Sequence, residues 1–425
     1  MFNLRWILIG VLFHALPAYG ELTLDEAENL ALEADPALLE RALRAQALQD
    51  QAVTDGQLPD PKLLFGLWNL PLDDFSLTKE PATQWRTGIR QTFPRGETLK
   101  YRQARTEWLG RAEAAGLDAM AAQIRRDVRE TYLELFYQAQ AAQIISESRR
   151  LFVQLVEITR AHYGAGRVSQ QDVLQAQLEL SRLDDRASRI DEQREVQRAR
   201  LARWIGAASA QALGQAFPRL PGVPALAQLE SDLARHPSIL AESAQVQASR
   251  QRVQEAREQY KPGFSVGLEY RKRFGDDPDG SNRSDQMAAM VTLDLPLFTD
   301  KRQDRSLAAS QARAEAAAQA RALRMRELKR SLESDYSRWR RLGEQAALYR
   351  DRLLPEAAAN AEAAVNAYQS GEIEFISLMR ARINELDVRL QALRVRIDRA
   401  RAAARLLYLA PQPSHPLSLS QEAAQ

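Results

Sequence analysis

The side chains best suited to acid–base work or metal binding are four histidines: His14, His162, His236 and His415. No pair of them has the spacing that holds a metal ion. His236 precedes Pro237 at a helix start, and His162 precedes Tyr163 at a turn; both are ordinary structural places for a histidine. Cysteine is absent, which removes disulfides, thiolate nucleophiles and cysteine metal sites. The 6 methionines form no dense run. No glycine-rich phosphate loop follows a strand, and no nucleophile elbow is visible. Asp184 and Asp185 stand among Arg182 and Arg186 and read as ion-paired helix surface, not acid/base machinery. Arg321, Arg324, Arg326 and Arg330 could suggest nucleic acid. Their neighbours Glu327, Glu333 and Asp335 make the stretch a mixed-charge helix surface instead. The sequence therefore predicts no catalytic residue, no cofactor, no metal site and no nucleic-acid partner.

What must be positioned is then structural. Of 425 residues, 45% are apolar, 7% aromatic and 27% charged, with a net charge of +2. That balance suits long helices. Residues 1–20 predict a cleaved signal peptide: Arg5 leads, 6–16 is apolar, and Ala18-Tyr19-Gly20 is a small-x-small cleavage pattern. After Gly20 no apolar run reaches the roughly 18 residues of a membrane helix. Membrane insertion, if any, must use β-strands, because only helices and closed barrels satisfy the backbone in lipid.

The chain repeats itself. Pro36, Pro61 and Gly66 recur as Pro237, Pro262 and Gly267, each 201 residues on. Phe93-Pro94 matches Leu295-Pro296 at 202, and Tyr163-x-x-Gly166 matches Tyr368-x-x-Gly371 at 205. The period is far too long for a solenoid. It indicates two domain-sized repeats, 21–215 and 226–410, joined by a linker at 216–225 and followed by a flexible tail, 411–425. Each repeat predicts a helix (about 24–58 and 226–260), a hairpin (about 62–93 and 263–297), a long helix (about 97–161 and 301–367), a turn (about 163–170 and 368–375) and a returning helix (about 170–213 and 375–409). A 65-residue helix would be roughly 100 Å long. Ile124, Val128, Leu135, Ala139, Ala142, Ile145, Phe152 and Leu155 keep a three-or-four spacing that predicts its buried side. Pro355 predicts a kink in its counterpart.

Three of the four strands alternate. Phe264, Val266, Leu268 and Tyr270 oppose Ser265, Gly267, Glu269 and Arg271. Met287, Ala289, Val291 and Leu293 oppose Ala288, Met290, Thr292 and Asp294. Trp85, Ile89 and Phe93 oppose Gln84, Arg86, Gly88, Arg90 and Thr92. The stretch 62–70 is ambiguous. About ten residues suits a tilted membrane strand, with the apolar face on lipid and the polar face on water. Trp68, Trp85, Tyr270 and Phe298 near strand ends suit interface aromatics. A soluble half-buried hairpin fits the strands equally well. Four strands cannot close a transmembrane barrel, for which about eight are needed, so membrane hairpins would require several chains to share one.

At this point the sequence resembles the TolC-like outer-membrane efflux proteins. The residues that carry the resemblance are the duplication, the paired hairpins between long helices, and the turns Tyr163-x-x-Gly166-Arg167-Val168-Ser169-x-x-Asp172 and Tyr368-x-x-Gly371-Glu372-Ile373-Glu374. The resemblance implies a mainly α fold with a small β part: a homotrimer with a shared 12-stranded barrel in outer-membrane lipid, continued by a periplasmic α-helical barrel. It implies a passive exit channel of a tripartite efflux system, with a periplasmic adaptor and an inner-membrane pump as partners. Gly166, Arg167, Val168, Ser169, Gly371, Glu372 and Ile373 would contact the adaptor. Asp172, Glu372, Glu374 and Arg380 would form the periplasmic gate. The second repeat has Ser377 where the first has Asp172, so a strict aspartate ring is not expected. Leu67-Trp68-Asn69-Leu70-Pro71 with Gln91-Thr92-Phe93-Pro94-Arg95-Gly96 resembles the subgroup serving heavy-metal pumps. A protein-secretion duct and a periplasmic coiled-coil interaction protein remain as alternatives.

Overall fold

The computed structural model describes residues 21–33 and 35–411. The signal peptide expected at 1–20 and the tail beyond Pro411 lie outside them. The chain forms helices α1 (Leu24–Glu33), α2 (Pro36–Asp55), α3 (Thr98–Gly164), α4 (Gln170–Ile205), α5 (Leu226–Asp232), α6 (Pro237–Glu258), α7 (Gln303–Leu348), α8 (Leu354–Gln369) and α9 (Phe375–Leu409). Its strands are β1 (Lys62–Trp68), β2 (Gln84–Phe93), β3 (Gly263–Arg273) and β4 (Gln286–Asp294).

Two compact units cut across the sequence repeats: among the described residues, 21–33 with 35, 123–223 and 334–408 form one, and 36–122, 224–333 and 409–411 form the other. Helices α3 and α7 each contribute to both.

Each first helix predicted from sequence is two pieces. The chain leaves α1 before Pro36, and α5 ends in a 3-10 turn before His236, which is extended at φ −60° and ψ 133°. A proline disfavours helical backbone in the residue before it, yet serves well as the first helical residue. Pro355 acts differently from the expected kink. It offers no N–H, so the helix widens into a π-turn over Tyr349–Leu353, in which Leu354 N–H donates to Tyr349 C=O.

The first unit has an apolar centre on α3. Ile124, Val128, Leu135, Ile145 and Phe152 are buried as their spacing predicts, joined by Tyr132, Leu133 and Phe136. Tyr132 donates from its hydroxyl to Leu22 C=O at 2.7 Å, and Leu22 pairs with Leu213 in a short parallel bridge. Charges are sheltered here too. Arg129 grips Glu28 through both nitrogens at 2.6 and 2.9 Å. Glu130 and Glu134 of α3 receive Arg394, Arg401 and Arg405 of α9 at 2.7–3.5 Å.

The second unit contains one antiparallel sheet in the order β1-β2-β3-β4. The ambiguous stretch is a strand: Lys62 pairs with Arg90 and Trp68 with Gln84. β4 stops at Asp294, short of the predicted 297, because Pro296 cannot donate to a ladder. Gly88 is set by crowding: a Cβ there would stand 2.7 Å from Leu268 carbonyl oxygen and 3.1 Å from Glu269 Cα, whereas one at Gly66 would meet nothing within 4 Å. Gly88→Val is expected to cost roughly 1–3 kcal/mol and to lower the refolding yield. Gly66→Val should refold normally. Equal yields for the two variants would contradict this register.

Candidate functional site

Two places gather the residues singled out from sequence: the faces of the sheet and the turns that join the long helices.

The sheet presents opposite chemistries on its two sides. In register across the strands, Leu63, Ile89, Leu268 and Ala289 form one row, and Phe65, Thr87, Tyr270 and Met287 the next. This side is bare: Phe65 is 73% exposed, Met287 72%, Leu63 70% and Val291 64%. The other side is polar and more sheltered. There Glu269 accepts from Arg271 at 2.8 Å and lies 3.5 Å from Arg86. A soluble hairpin buries its apolar side and wets its polar one. The exposures here run the other way, which is what a strand between lipid and a water-filled interior requires. Trp85 belongs to the bare side. Trp68 does not serve as the interface aromatic expected of it: its position puts it on the polar side, with the Arg86 guanidinium 4.4 Å over its ring.

Each turn closes by the same backbone device. Arg167 N–H donates to His162 C=O at 2.9 Å, and Gly166 sits at φ +69°. Glu372 N–H donates to Ala367 C=O at 2.8 Å, and Gly371 sits at φ +79°. A left-handed residue after a helix is glycine's usual place, because a Cβ there is strained. The starts of the returning helices differ. Ser169 and Asp172 cap α4 reciprocally: Asp172 N–H donates to Ser169 Oγ at 3.3 Å, and Asp172 Oδ2 accepts from Ser169 N–H at 3.0 Å. At the matching positions of the second turn stand Glu374 and Ser377, the same chemistry in reverse order. Neither makes the reciprocal side-chain bonds among the described residues.

The structure brings Gly166, Arg167, Val168 and Ser169 from one turn and Gly371 and Ile373 from the other around a shallow depression of about 780 Å³. Asp172 and Glu374 also line it, while Glu372 and Arg380 are exposed outside its lining. Sequence reasoning missed the residue that organises this depression, Tyr368. Its ring packs edge-on to Phe375 at 5.8 Å and its hydroxyl lies 3.4 Å from His162 Nδ1. Burial, then the nearby Asp172 charge, push its hydroxyl pKa up. Its repeat mate Tyr163 is 48% exposed. The two tyrosines at matched positions were the available signal, but nothing in the sequence said which one is packed.

Behind the turns, Phe152 and Val156 of α3, Ala176 and Leu183 of α4, and Phe375 and Met379 of α9 share one apolar cluster. Ion pairs tie the same helices. Arg149 meets Asp184 at 2.6 Å, Arg186 meets Asp387 at 2.7 Å and Arg389 meets Glu147 at 2.7 Å. Arg389 thereby holds the Glu147 carboxyl below its usual range. Asp184 and Arg186 thus pair across helices, correcting the expectation that they pair along one surface. Arg182 instead takes Glu179, and Asp185 takes Arg189. Among the described residues no group of His, Cys, Asp and Glu could hold a metal ion, and no helix is long and apolar enough to cross a membrane.

An open-edged sheet with an inverted exposure pattern, carried on long paired helices, defines the fold class of the TolC-like outer-membrane channels. Residues 229–410 match the family described as outer membrane efflux protein. Solved structures agree over nearly the whole chain. A membrane protein from Pseudomonas aeruginosa has TM-score 0.79 and 16% identity, with 92% of this chain and 91% of that one covered. The Campylobacter jejuni CmeC outer membrane channel has TM-score 0.78 and 13% identity, covering 94% and 88%. The outer membrane protein VceC from Vibrio cholerae has TM-score 0.75 and 17% identity, covering 91% and 95%. No curated protein matches. The family match thus covers the second half of the chain, and the solved structures show that the whole chain has the fold of these outer membrane channels.

Proposed function

We propose that this chain is one protomer of a homotrimeric outer-membrane channel that passes small solutes, handed on by an inner-membrane pump through a periplasmic adaptor. The observation that carries the reading is the sheet. Its bare apolar side needs lipid, and the outer edges of β1 and β4 have no strand beside them among the described residues. Unpaired edges do not persist in lipid. β1 and β4 run in opposite directions, so β4 of one copy can continue antiparallel onto β1 of the next. Such head-to-tail pairing closes into a ring. Three copies bring twelve strands, above the minimum of about eight. In this reading the repeats 21–215 and 226–410 supply equivalent hairpins and turns around the ring.

The turns are the proposed adaptor contact and gate. Gly166, Arg167, Val168, Ser169, Gly371, Glu372 and Ile373 offer the adaptor surface. At the gate, Asp172 is occupied by its cap, so Glu372 and Glu374 carry the free negative charge at the mouth, with Arg380 beside them. Opening separates α4 from α9 and breaks the Arg186–Asp387 pair, which is exposed and therefore weak. The cargo in this reading is a metal ion, as the Leu67–Pro71 resemblance implies, or an organic solute.

Planar-bilayer recording of the purified protein tests it. The native chain is expected to form trimers that conduct. Glu372→Gln with Glu374→Gln should change conductance and weaken cation preference. Recovery of the chain as a soluble periplasmic monomer would overturn the channel. Unchanged conductance and ion preference in the glutamine variant would overturn the gate.

A further inference from the structure

The polar side of the sheet is strongly basic. Register places Lys62, Arg86, Arg90, Arg271 and Arg273 on it, against the carboxylates Glu269 and Asp294. Arg86 and Arg271 share Glu269, and Arg273 Nε donates to Ser284 C=O at 2.9 Å. Lys62 and Arg90 face each other across β1 and β2 and make no ion pair among the described residues. Arg90 lies over Gly267, its Nε 3.7 Å from where a Cβ of that residue would be, so the glycine leaves the guanidinium room beside the backbone.

Among the described residues no carboxylate pairs with Lys62 or Arg90. Each uncompensated cation on a sheet face needs water or an anion against it. In a closed ring the polar sides of all copies turn inward and face one another. Low-dielectric walls then concentrate the field of the repeated cations inside. The loops joining β1 to β2 and β3 to β4 lie at the end of the strands away from Lys62 and Arg90, and they are acidic but largely spoken for: Lys79 meets Asp73 and Asp74, and Arg283 meets Asp277. The basic residues therefore form a belt within the strands, below an acidic rim.

We infer that the strand-lined part of the channel is a binding belt for anionic groups, phosphates or carboxylates, and that solutes bearing such groups are held there in transit. The inference rests on the channel reading above and deepens it. Lys62 and Arg90 are the residues of the belt with charge to spare.

The test is block of the single-channel current by inositol hexakisphosphate, added to each chamber in turn. The native trimer should be blocked, and the block should weaken as salt is raised, since the Debye length falls from about 10 Å at 0.1 M to about 3 Å at 1 M. Lys62→Gln with Arg90→Gln removes charges that hold no partner, so folding is spared, and should raise the blocking constant roughly tenfold. Arg90→Lys alone should keep the block. A native channel that conducts but is not blocked, or an equal blocking constant in the glutamine variant, overturns the belt while leaving the channel standing. Failure to conduct at all overturns the channel reading itself.

Discussion

Leu268→Arg is expected to abolish assembly into the membrane. Leu268 lies on the bare apolar side of β3, in the row Leu63–Ile89–Leu268–Ala289. A basic residue on the lipid side of a barrel costs about 2–4 kcal/mol near the bilayer middle. A trimer repeats the cost in every copy, so the total approaches the whole stability of an ordinary domain, about 5–15 kcal/mol. A position three residues earlier on the same strand supplies the control. Ser265 faces the opposite side, among residues that already include arginines, and Ser265→Arg should insert normally. The readout is the heat-modifiable trimer band in the outer-membrane fraction, lost for the first variant and retained for the second. Normal insertion of Leu268→Arg would mean that this side of the sheet never meets lipid, and the channel would fall with it.

Glu28→Gln is expected to destabilise the first compact unit by about 3–5 kcal/mol, the usual cost of stranding a buried charge. The Glu28 carboxylate is gripped by Arg129 and lies 3.6 Å from Arg125. The Glu28 and Arg129 side chains are each only 10% exposed. Glutamine keeps the shape and removes the charge, taking from the buried Arg129 guanidinium the carboxylate it grips. Burial already pulls the Arg125 pKa down, and Glu28 opposes that pull. The variant should lose its thermal transition several degrees early and become protease-sensitive. A change under about 1 kcal/mol would place Glu28 with the exposed surface pairs, and the bidentate contact would then be incidental.

How far the sequence disclosed this architecture depended on what each feature is made of. Strand β3 was legible because its alternation is clean: the predicted 264–271 lies inside the observed Gly263–Arg273. β1 was not, because Leu63, Leu64 and Phe65 put apolar side chains on both sides and erase the period of two. Pairing with β2 decides it, and pairing is not local information. The long helices were legible from their spacing, but the π-turn before Pro355 was not, since a proline can kink, end or widen a helix and neighbouring packing selects among these. Asp184 and Arg186 show the same limit for charge. Both types were visible in the sequence, yet their partners, Arg149 and Asp387, come from other helices. At the turns, the glycines were readable from the conformation a helix end demands. The burial of Tyr368 over Tyr163 was not, because the repeats offer identical residues to unequal surroundings.

Those unequal surroundings reach the caps as well. Ser169 and Asp172 lock the start of α4 with reciprocal bonds, while Glu374 and Ser377 make no such cap at the start of α9 among the described residues, leaving its packing through Phe375 and its backbone bonds to hold it. A cap of this kind is worth about 0.5–2 kcal/mol, and removing it lets the first helical turn unwind more often. In the ring proposed for this chain, corners with and without the reciprocal cap alternate. Such an iris needs only every second corner to yield, so a partner that grips the corners without the cap can widen the aperture with half the hinges still fastened.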